Sequence, residues 1–234
     1  MLLYIVRHGH PDYTTDTLTP TGVLQAEAVG KRLFASKIDR IFTSPMGRAK
    51  QTAEPACRLL GLDYTIEEWA HEIGKEMVVT FPGDKSQTLG FVQNTYFREN
   101  GNLYLDFDHS LEAPGFNISG MESALQYIEE NGNKFLERLG YKEENGVYRI
   151  LQPNEEKVAL FCHAGFARAF VSRLLHIPPH IMWAGFNYCF TGVTVLEFKN
   201  NENGITAPQC LCYSDLSHLY AHGPELLYNE RTPL

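Results

Sequence analysis

Short apolar runs alternate with amphipathic stretches along most of the chain, and this alternation predicts an α/β fold. Residues 2–6 and 158–162 have the length and the β-branched and aromatic content of buried strands. The stretches between such runs carry apolar residues three and four positions apart, which is typical of helices that cover a sheet. We therefore expect a mostly parallel sheet with helices on both faces.

Turn and helix-stop residues give approximate bounds for most of these elements. Helices are predicted from the Thr19-Pro20 turn to about residue 33, at 47–60 before Gly61, from Gly120 to about 139, and at 167–175 before Pro178 and Pro179. Further strands are predicted at 40–43, 64–67, 192–198 and 208–213, with a short hairpin within 140–156.

Residues 75–120 interrupt this rhythm. The segment is rich in Gly, Pro, Asn, Phe and Tyr, and it is too aromatic for a disordered linker. We interpret residues 1–234 as a single domain in which this segment is an insertion. It is predicted either to form a lid that selects the substrate, with Lys75, Lys85 and Arg98 for a second anionic group, or to pack as an aromatic cluster on the sheet edge.

Composition excludes several classes of function. Hydrophobic residues make up 44% of the chain, and the formal net charge is −8, so the chain is a poor candidate for non-specific nucleic-acid binding. No apolar stretch reaches the ~18 residues of a membrane span. Because the first predicted strand begins at residue 2, we expect no targeting segment, and the five cysteines then fit a reducing cytoplasm. Cys210 and Cys212 are too close together for a common zinc motif, and we expect no metal and no cofactor.

Two of the predicted strands end in histidine. Arg7-His8-Gly9 follows the first strand, and His163-Ala164-Gly165 follows residues 158–162. Because the carboxyl ends of parallel strands meet at one edge of a sheet, both imidazoles are predicted to face one pocket. Arg48, which comes after the strand at 40–43, would add a second guanidinium to that of Arg7.

These groups suit a dianionic phosphoryl group. Arg7 and Arg48 can present planar forks of donors to its oxygens. A neutral His8, held at its other nitrogen by a backbone carbonyl, would be a nucleophile, and a protonated His163 would be a third cation.

Four motifs together resemble the histidine phosphatase superfamily, also called phosphoglycerate-mutase-like. They are RHG at 7–9, LTPTGVLQA at 18–26, SPMGRAKQTA at 44–53 and CHAGFAR at 162–168, in the order of the family. The resemblance implies a three-layer α/β/α sandwich and, within its phosphatase branch, hydrolysis of a phosphomonoester through a phosphohistidine on His8. It implies a phosphorylated small molecule as the substrate.

The resemblance also implies a carboxylic acid after the second helix that protonates the leaving group. Glu72 in Ala70-His71-Glu72-Ile73 lies at the spacing of the family, and Glu68 is the alternative because its neighbour Trp69 could desolvate it. His10 replaces the glutamate of many relatives and either contacts the substrate or points to solvent. Thr14 lies where mutase-type relatives place a phosphate contact, and Ser44 and the amide of Ala164 are weaker candidates.

Two other functions are open. A cofactor-dependent phosphoglycerate mutase is the first, although residues 11–18 lack the tryptophans of that group. A non-catalytic phosphate-binding scaffold is the second, although all four predicted pocket residues are intact. The sequence leaves the physiological substrate and the oligomeric state open.

Overall fold

The computed structural model describes residues 1–74, 107–112 and 116–222. Eleven strands lie within these ranges: β1 (Leu2–Arg7), β2 (Pro11–Asp12), β3 (Thr17–Leu18), β4 (Arg40–Thr43), β5 (Tyr64–Ile66), β6 (Tyr141–Glu144), β7 (Val147–Ile150), β8 (Lys157–Cys162), β9 (Val193–Glu197), β10 (Ile205–Thr206) and β11 (Gln209–Asp215).

Six of these strands form the central sheet, in the order β11-β9-β1-β8-β4-β5. The neighbouring strands β1, β8, β4 and β5 run parallel to one another, whereas β9 and β11 are antiparallel to their neighbours. In the register of β1 and β8, Arg7 pairs with Cys162. The residues that follow, His8 and His163, therefore leave the sheet side by side.

Helices cover both faces of the sheet. Five are described: α1 (Pro20–Ser36), α2 (Gly47–Leu60), α3 (Met121–Arg138), α4 (Ala164–Leu175) and α5 (Pro179–Gly185). Local signals explain where they begin and end. The Thr19 hydroxyl caps α1 by accepting the N–H of Gly22, and Gly61 ends α2 with a left-handed φ of 69°.

The two faces of β1 bury different side chains, because successive residues of a strand point to opposite sides. Leu3 and Ile5 join the larger apolar cluster beneath α3, α4 and α5. Tyr4 and Val6 join the smaller cluster beneath α1 and α2. The predicted three-layer α/β/α architecture with a mostly parallel sheet is therefore confirmed.

The structure corrects some predicted bounds. Helix α4 begins at Ala164, three residues earlier than predicted, because it starts directly after strand β8 and His163. Pro179 does not close that helix but begins α5, since a proline at the first helical position loses no hydrogen bond. The two-residue strands β2 and β3 are too short for the periodicity to reveal. The hairpin predicted within 140–156 is present as β6 and β7.

The described parts of the aromatic segment pack on the helices. Phe116 is buried against Trp183 of α5. Phe107 stacks on His176, with their ring centroids 5.3 Å apart. The three cations predicted to bind a second anionic group lie outside the described residues; they are Lys75, Lys85 and Arg98. Within the part of the chain that is described, no helix is both long and apolar enough to cross a membrane.

Candidate active site

His8 is the central group of the site, and its environment fixes its tautomer. Its Nδ1–H donates to the carbonyl oxygen of Gly9 at 2.7 Å. A carbonyl can only accept, so Nδ1 carries the proton and Nε2 carries none. The lone pair of Nε2 accepts the Nε–H of Arg48, with 3.3 Å between the two nitrogens. The buried imidazole thus has the form that a nucleophile requires.

His163 lies beside His8, as the strand register requires. The ring centroids are 5.2 Å apart, and His163 is fully buried. Its Nε2 is 2.7 Å from the hydroxyl of Ser44, which follows strand β4. Its Nδ1 is buried and has no hydrogen-bond partner among the described residues. Ser44, predicted as a weaker candidate for contact with the substrate, orients the second histidine.

The two arginines reach the same place from different elements. Arg7 ends β1, and its Nη1 donates to the carbonyl oxygen of Tyr188 at 2.6 Å. Arg48 lies in the first turn of α2, and its Nη1 pairs with Asp16 at 2.5 Å. Both guanidinium groups are buried, so their attraction for an anion is weakly screened.

Burial and the two guanidinium groups lower the pKa values of both imidazoles. Desolvation is the largest cause, and it lowers the pKa of His8 well below its ordinary value, with Arg7 and Arg48 adding to the effect. The pKa of His163 is lowered in the same way, again mainly by burial and then by His8 and the arginines. These lowered pKa values favour the neutral form of both rings at pH 7.

Glu72 lies against the start of helix α4. Its Oε1 accepts the N–H of Phe166 at 2.9 Å, and its Oε2 accepts the N–H of Gly165 at 3.3 Å. The N–H of Ile73 also donates to Oε1. These N–H groups fix the position of the Glu72 side chain at the start of α4.

Glu68, the alternative acid, does not lie in the environment expected for it. Its side chain is 76% exposed, and its only described partner is His71, 4.0 Å away. The indole N–H of Trp69 donates to Glu67 instead, and Glu67 is the buried carboxylate of this turn. The expectation that Trp69 desolvates Glu68 is therefore wrong.

The two predicted substrate contacts differ in their placement. His10 is half-buried beside the pocket, with its Nδ1 2.9 Å from the Thr19 hydroxyl and its ring edge against Phe190. It therefore does not simply point to solvent. Thr14 is exposed in the turn between β2 and β3, and its backbone N–H donates to Asp12.

Sequence reasoning missed two residues that hold the site together. Asp16 pairs with Arg48 and also accepts the N–H of Gly47. Phe190 packs its ring on the Arg7 guanidinium. Neither residue carries a motif signal, because each acts through a partner distant in the chain. Among the described residues, no group of three or more His, Cys, Asp or Glu side chains is placed to hold a metal ion.

The chain matches the sequence profile of the histidine phosphatase superfamily (branch 1) over residues 3–76 and 122–210. The matched residues are more than half of the chain, which therefore belongs to this superfamily. The predicted family and the predicted enzyme class, a histidine phosphatase, are confirmed. The segment predicted as an insertion falls almost entirely between the two matched stretches.

Individual relatives extend the similarity along the whole chain. A protein of Hydrogenobacter thermophilus named "Putative phosphoserine phosphatase 2" is 21% identical over 222 residues, which cover 91% of this chain and 97% of that protein. The crystal structure of phosphoserine phosphatase from Entamoeba histolytica in complex with 3-phosphoglyceric acid has a TM-score of 0.61 at 20% identity and covers 93% of this chain and 98% of its own. Mycobacterial glucosyl-3-phosphoglycerate phosphatase in complex with VO3 has a TM-score of 0.60 at 18% identity, covering 91% and 98%. At these identities the structural likeness shows the fold.

Proposed function

We propose that the protein hydrolyses the phosphomonoester of a small molecule through a phosphohistidine on His8. The observation that carries the proposal is the hydrogen bond from Nδ1 of His8 to the Gly9 carbonyl oxygen, which leaves Nε2 unprotonated and within hydrogen-bond distance of the buried Arg48 guanidinium. A nucleophile must be unprotonated to attack phosphorus, and the burial that lowers the pKa of His8 supports this role.

In the first half of the reaction, Nε2 of His8 forms a bond to phosphorus while the ester P–O bond breaks. The leaving alkoxide needs a proton, and we assign the protonated carboxyl group of Glu72 as the donor, because the N–H groups of Gly165 and Phe166 hold it at the start of α4. The approach of the phosphoryl dianion favours this protonated form. In the second half, water attacks the phosphohistidine, a proton returns to Glu72, and orthophosphate and free His8 are regenerated.

The positive charge that this reaction needs can come from the protein alone. Arg7 and Arg48 are permanent cations in the pocket, and a bound phosphoryl dianion favours the protonated form of His163, which then becomes a third cation. Charge stabilisation of this kind is the main requirement of phosphoryl transfer, so we propose that the reaction needs no metal.

The named relatives suggest where to look for the substrate. Their names and ligands include phosphoserine and phosphoglycerate derivatives, all of which are small phosphate esters that also carry a carboxylate. We propose that the substrate is a phosphorylated small molecule and that phosphoserine and 3-phosphoglycerate belong in the first panel.

The test measures orthophosphate release from that panel by wild-type protein, the His8→Asn variant and a matched control, His176→Asn. His176 is an exposed histidine at the opposite end of α4, and asparagine tolerates its left-handed φ of 51°. We expect the His8 variant to lose all turnover, the control to keep it, and EDTA to leave the wild type unchanged. Acid-labile, base-stable phosphate should be trapped on His8.

Three results would refute the proposal. The first is full activity in His8→Asn, which would exclude the phosphohistidine. The second is isomerisation of 3-phosphoglycerate without orthophosphate release, which would indicate a mutase. The third is orthophosphate binding without turnover of any ester, which would indicate a scaffold.

A further inference from the structure

Phe190 is a buried aromatic residue whose ring lies against the candidate site. Its side chain is 1% exposed, yet it belongs to none of the described apolar clusters. Its described ring contacts are all with groups of the candidate site: the Arg7 guanidinium 3.8 Å from the ring centroid, the His8 ring at 5.7 Å and the His10 ring at 5.2 Å. A core-packing role alone does not explain this placement.

The segment around Phe190 holds Arg7 from two directions. Tyr188, two residues earlier, accepts Nη1–H of Arg7 with its carbonyl oxygen, and the ring of Phe190 covers the guanidinium face. The guanidinium therefore cannot rotate without losing both contacts. Its Nε–H is buried and has no hydrogen-bond partner among the described residues, so this donor is among those that remain for a ligand.

A strained corner fixes the position of that ring. Thr191 has a φ of 52°, which is unfavourable for a β-branched residue, and it is fully buried. The N–H of Thr191 donates to the carbonyl oxygen of His8, and the Thr191 hydroxyl donates to the carbonyl oxygen of Phe190. His218 then donates its Nε2–H to the same hydroxyl at 3.1 Å. These contacts join Thr191 to His8 at the end of β1 and hold the Thr191 backbone in its strained conformation.

We propose that Phe190 is a positioning residue for phosphate binding, acting through Arg7. Its ring fixes the plane of the guanidinium by a desolvated cation–π contact, so that Arg7 presents its remaining donors to a phosphoryl group without reorganising. The ring does not itself touch the phosphoryl group. This inference deepens the proposed function, on which it rests.

The experiment measures orthophosphate binding by calorimetry, since binding can be read without turnover. Phe190→Leu removes the aromatic face, and Phe190→Tyr keeps it. The matched control is Phe198→Leu, because Phe198 is equally buried but its ring contacts Tyr141 and Tyr148 instead of the site. The Arg7→Ala variant with and without Phe190→Leu completes a double-mutant cycle. Thermal unfolding of every variant shows that it is folded.

We expect Phe190→Leu to weaken orthophosphate binding by about tenfold to thirtyfold, the range of a desolvated cation–π contact, and Phe190→Tyr to stay within about threefold of the wild type. Phe198→Leu should bind like the wild type. In the Arg7→Ala background, Phe190→Leu should have almost no further effect, because the group through which it acts is gone.

Two results would overturn the inference. One is an equal loss of affinity in Phe190→Leu and Phe198→Leu, which would make the effect a general consequence of lost packing. The other is an undiminished effect of Phe190→Leu in the Arg7→Ala background. A wild-type protein that binds orthophosphate but hydrolyses no ester would refute the proposed function and would still leave this binding test readable.

Discussion

The two buried histidines make a quantitative prediction about stability and pH. Burial and the neighbouring arginines lower the pKa values of both His8 and His163 in the folded protein. In the unfolded chain each imidazole returns to its ordinary pKa of about 6.5. Below that pH the unfolded state therefore binds more protons than the folded state. The free energy of unfolding falls as the pH decreases through 6.5 towards the pKa values of the folded state.

The magnitude follows from this linkage. At pH 5.5 each imidazole that stays neutral in the folded state lowers the free energy of unfolding by about 1.4 kcal/mol, and at pH 7.5 by less than about 0.1 kcal/mol. The pair together should cost about 3 kcal/mol over these two pH units. This is a large share of the stability of a typical domain, which is about 5–15 kcal/mol.

The assay is urea unfolding at pH 7.5 and 5.5, without phosphate, for the wild type, His8→Asn and His163→Asn. Each substitution also changes packing, but that contribution is the same at both pH values and cancels when the two are compared. Each variant should lose about 1.3 kcal/mol less than the wild type on acidification. The control His176→Asn, which replaces an exposed histidine, should lose as much unfolding free energy between the two pH values as the wild type. If His8→Asn and the wild type lose the same stability between the two pH values, the imidazole is not buried in a neutral form and the argument for the nucleophile fails.

Four further predictions test other contacts. Glu72→Gln should slow the hydrolysis of alkyl phosphates by ~10²–10⁴-fold, and it should slow the hydrolysis of p-nitrophenyl phosphate much less, because that leaving group needs little protonation. The control Glu68→Gln alters an exposed carboxylate and should change neither rate. Asp16→Asn should lower kcat/KM by about tenfold, since it removes the charge that holds Arg48. The control Thr15→Ala in the same exposed turn should leave kcat/KM unchanged, and unchanged kinetics in Asp16→Asn would contradict the role of Asp16. Glu67→Gln should lower the free energy of unfolding by about 1–2 kcal/mol, because the buried carboxylate loses its pair with Arg138, while Glu68→Gln serves as the neutral neighbour in the same urea titration. Gly165→Ala should lower kcat, because a Cβ there would lie 2.6 Å from Oε1 of Glu72, and a wild-type kcat would show that this carboxylate is not held as described.

The sequence by itself determined the residues of the candidate site and the layers that carry them. His8 and His163 were predictable because each follows an apolar run of strand length, and parallel strands place their carboxyl ends at one edge. Arg48 was predictable from its place after the strand at 40–43, whereas Glu72 was predictable only through the spacing of the family motifs. The helix bounds at Gly61 and near Thr19 followed from local capping chemistry, which depends on neighbouring residues alone.

Tertiary structure alone decided how those groups are held and which form they take. The carboxylate beside Trp69 proved to be Glu67 instead of Glu68, because the 3-10 turn at Glu68–Ala70 rotates one side chain inward and its neighbour to solvent. The pairing of Asp16 with Arg48 joins residues 32 positions apart, and the contact of Phe190 with Arg7 spans most of the chain. The neutrality of His8 and His163 likewise depends on burial and on two arginines brought together by folding. Such properties arise from distances between remote residues, which the order of residues along a single chain does not contain.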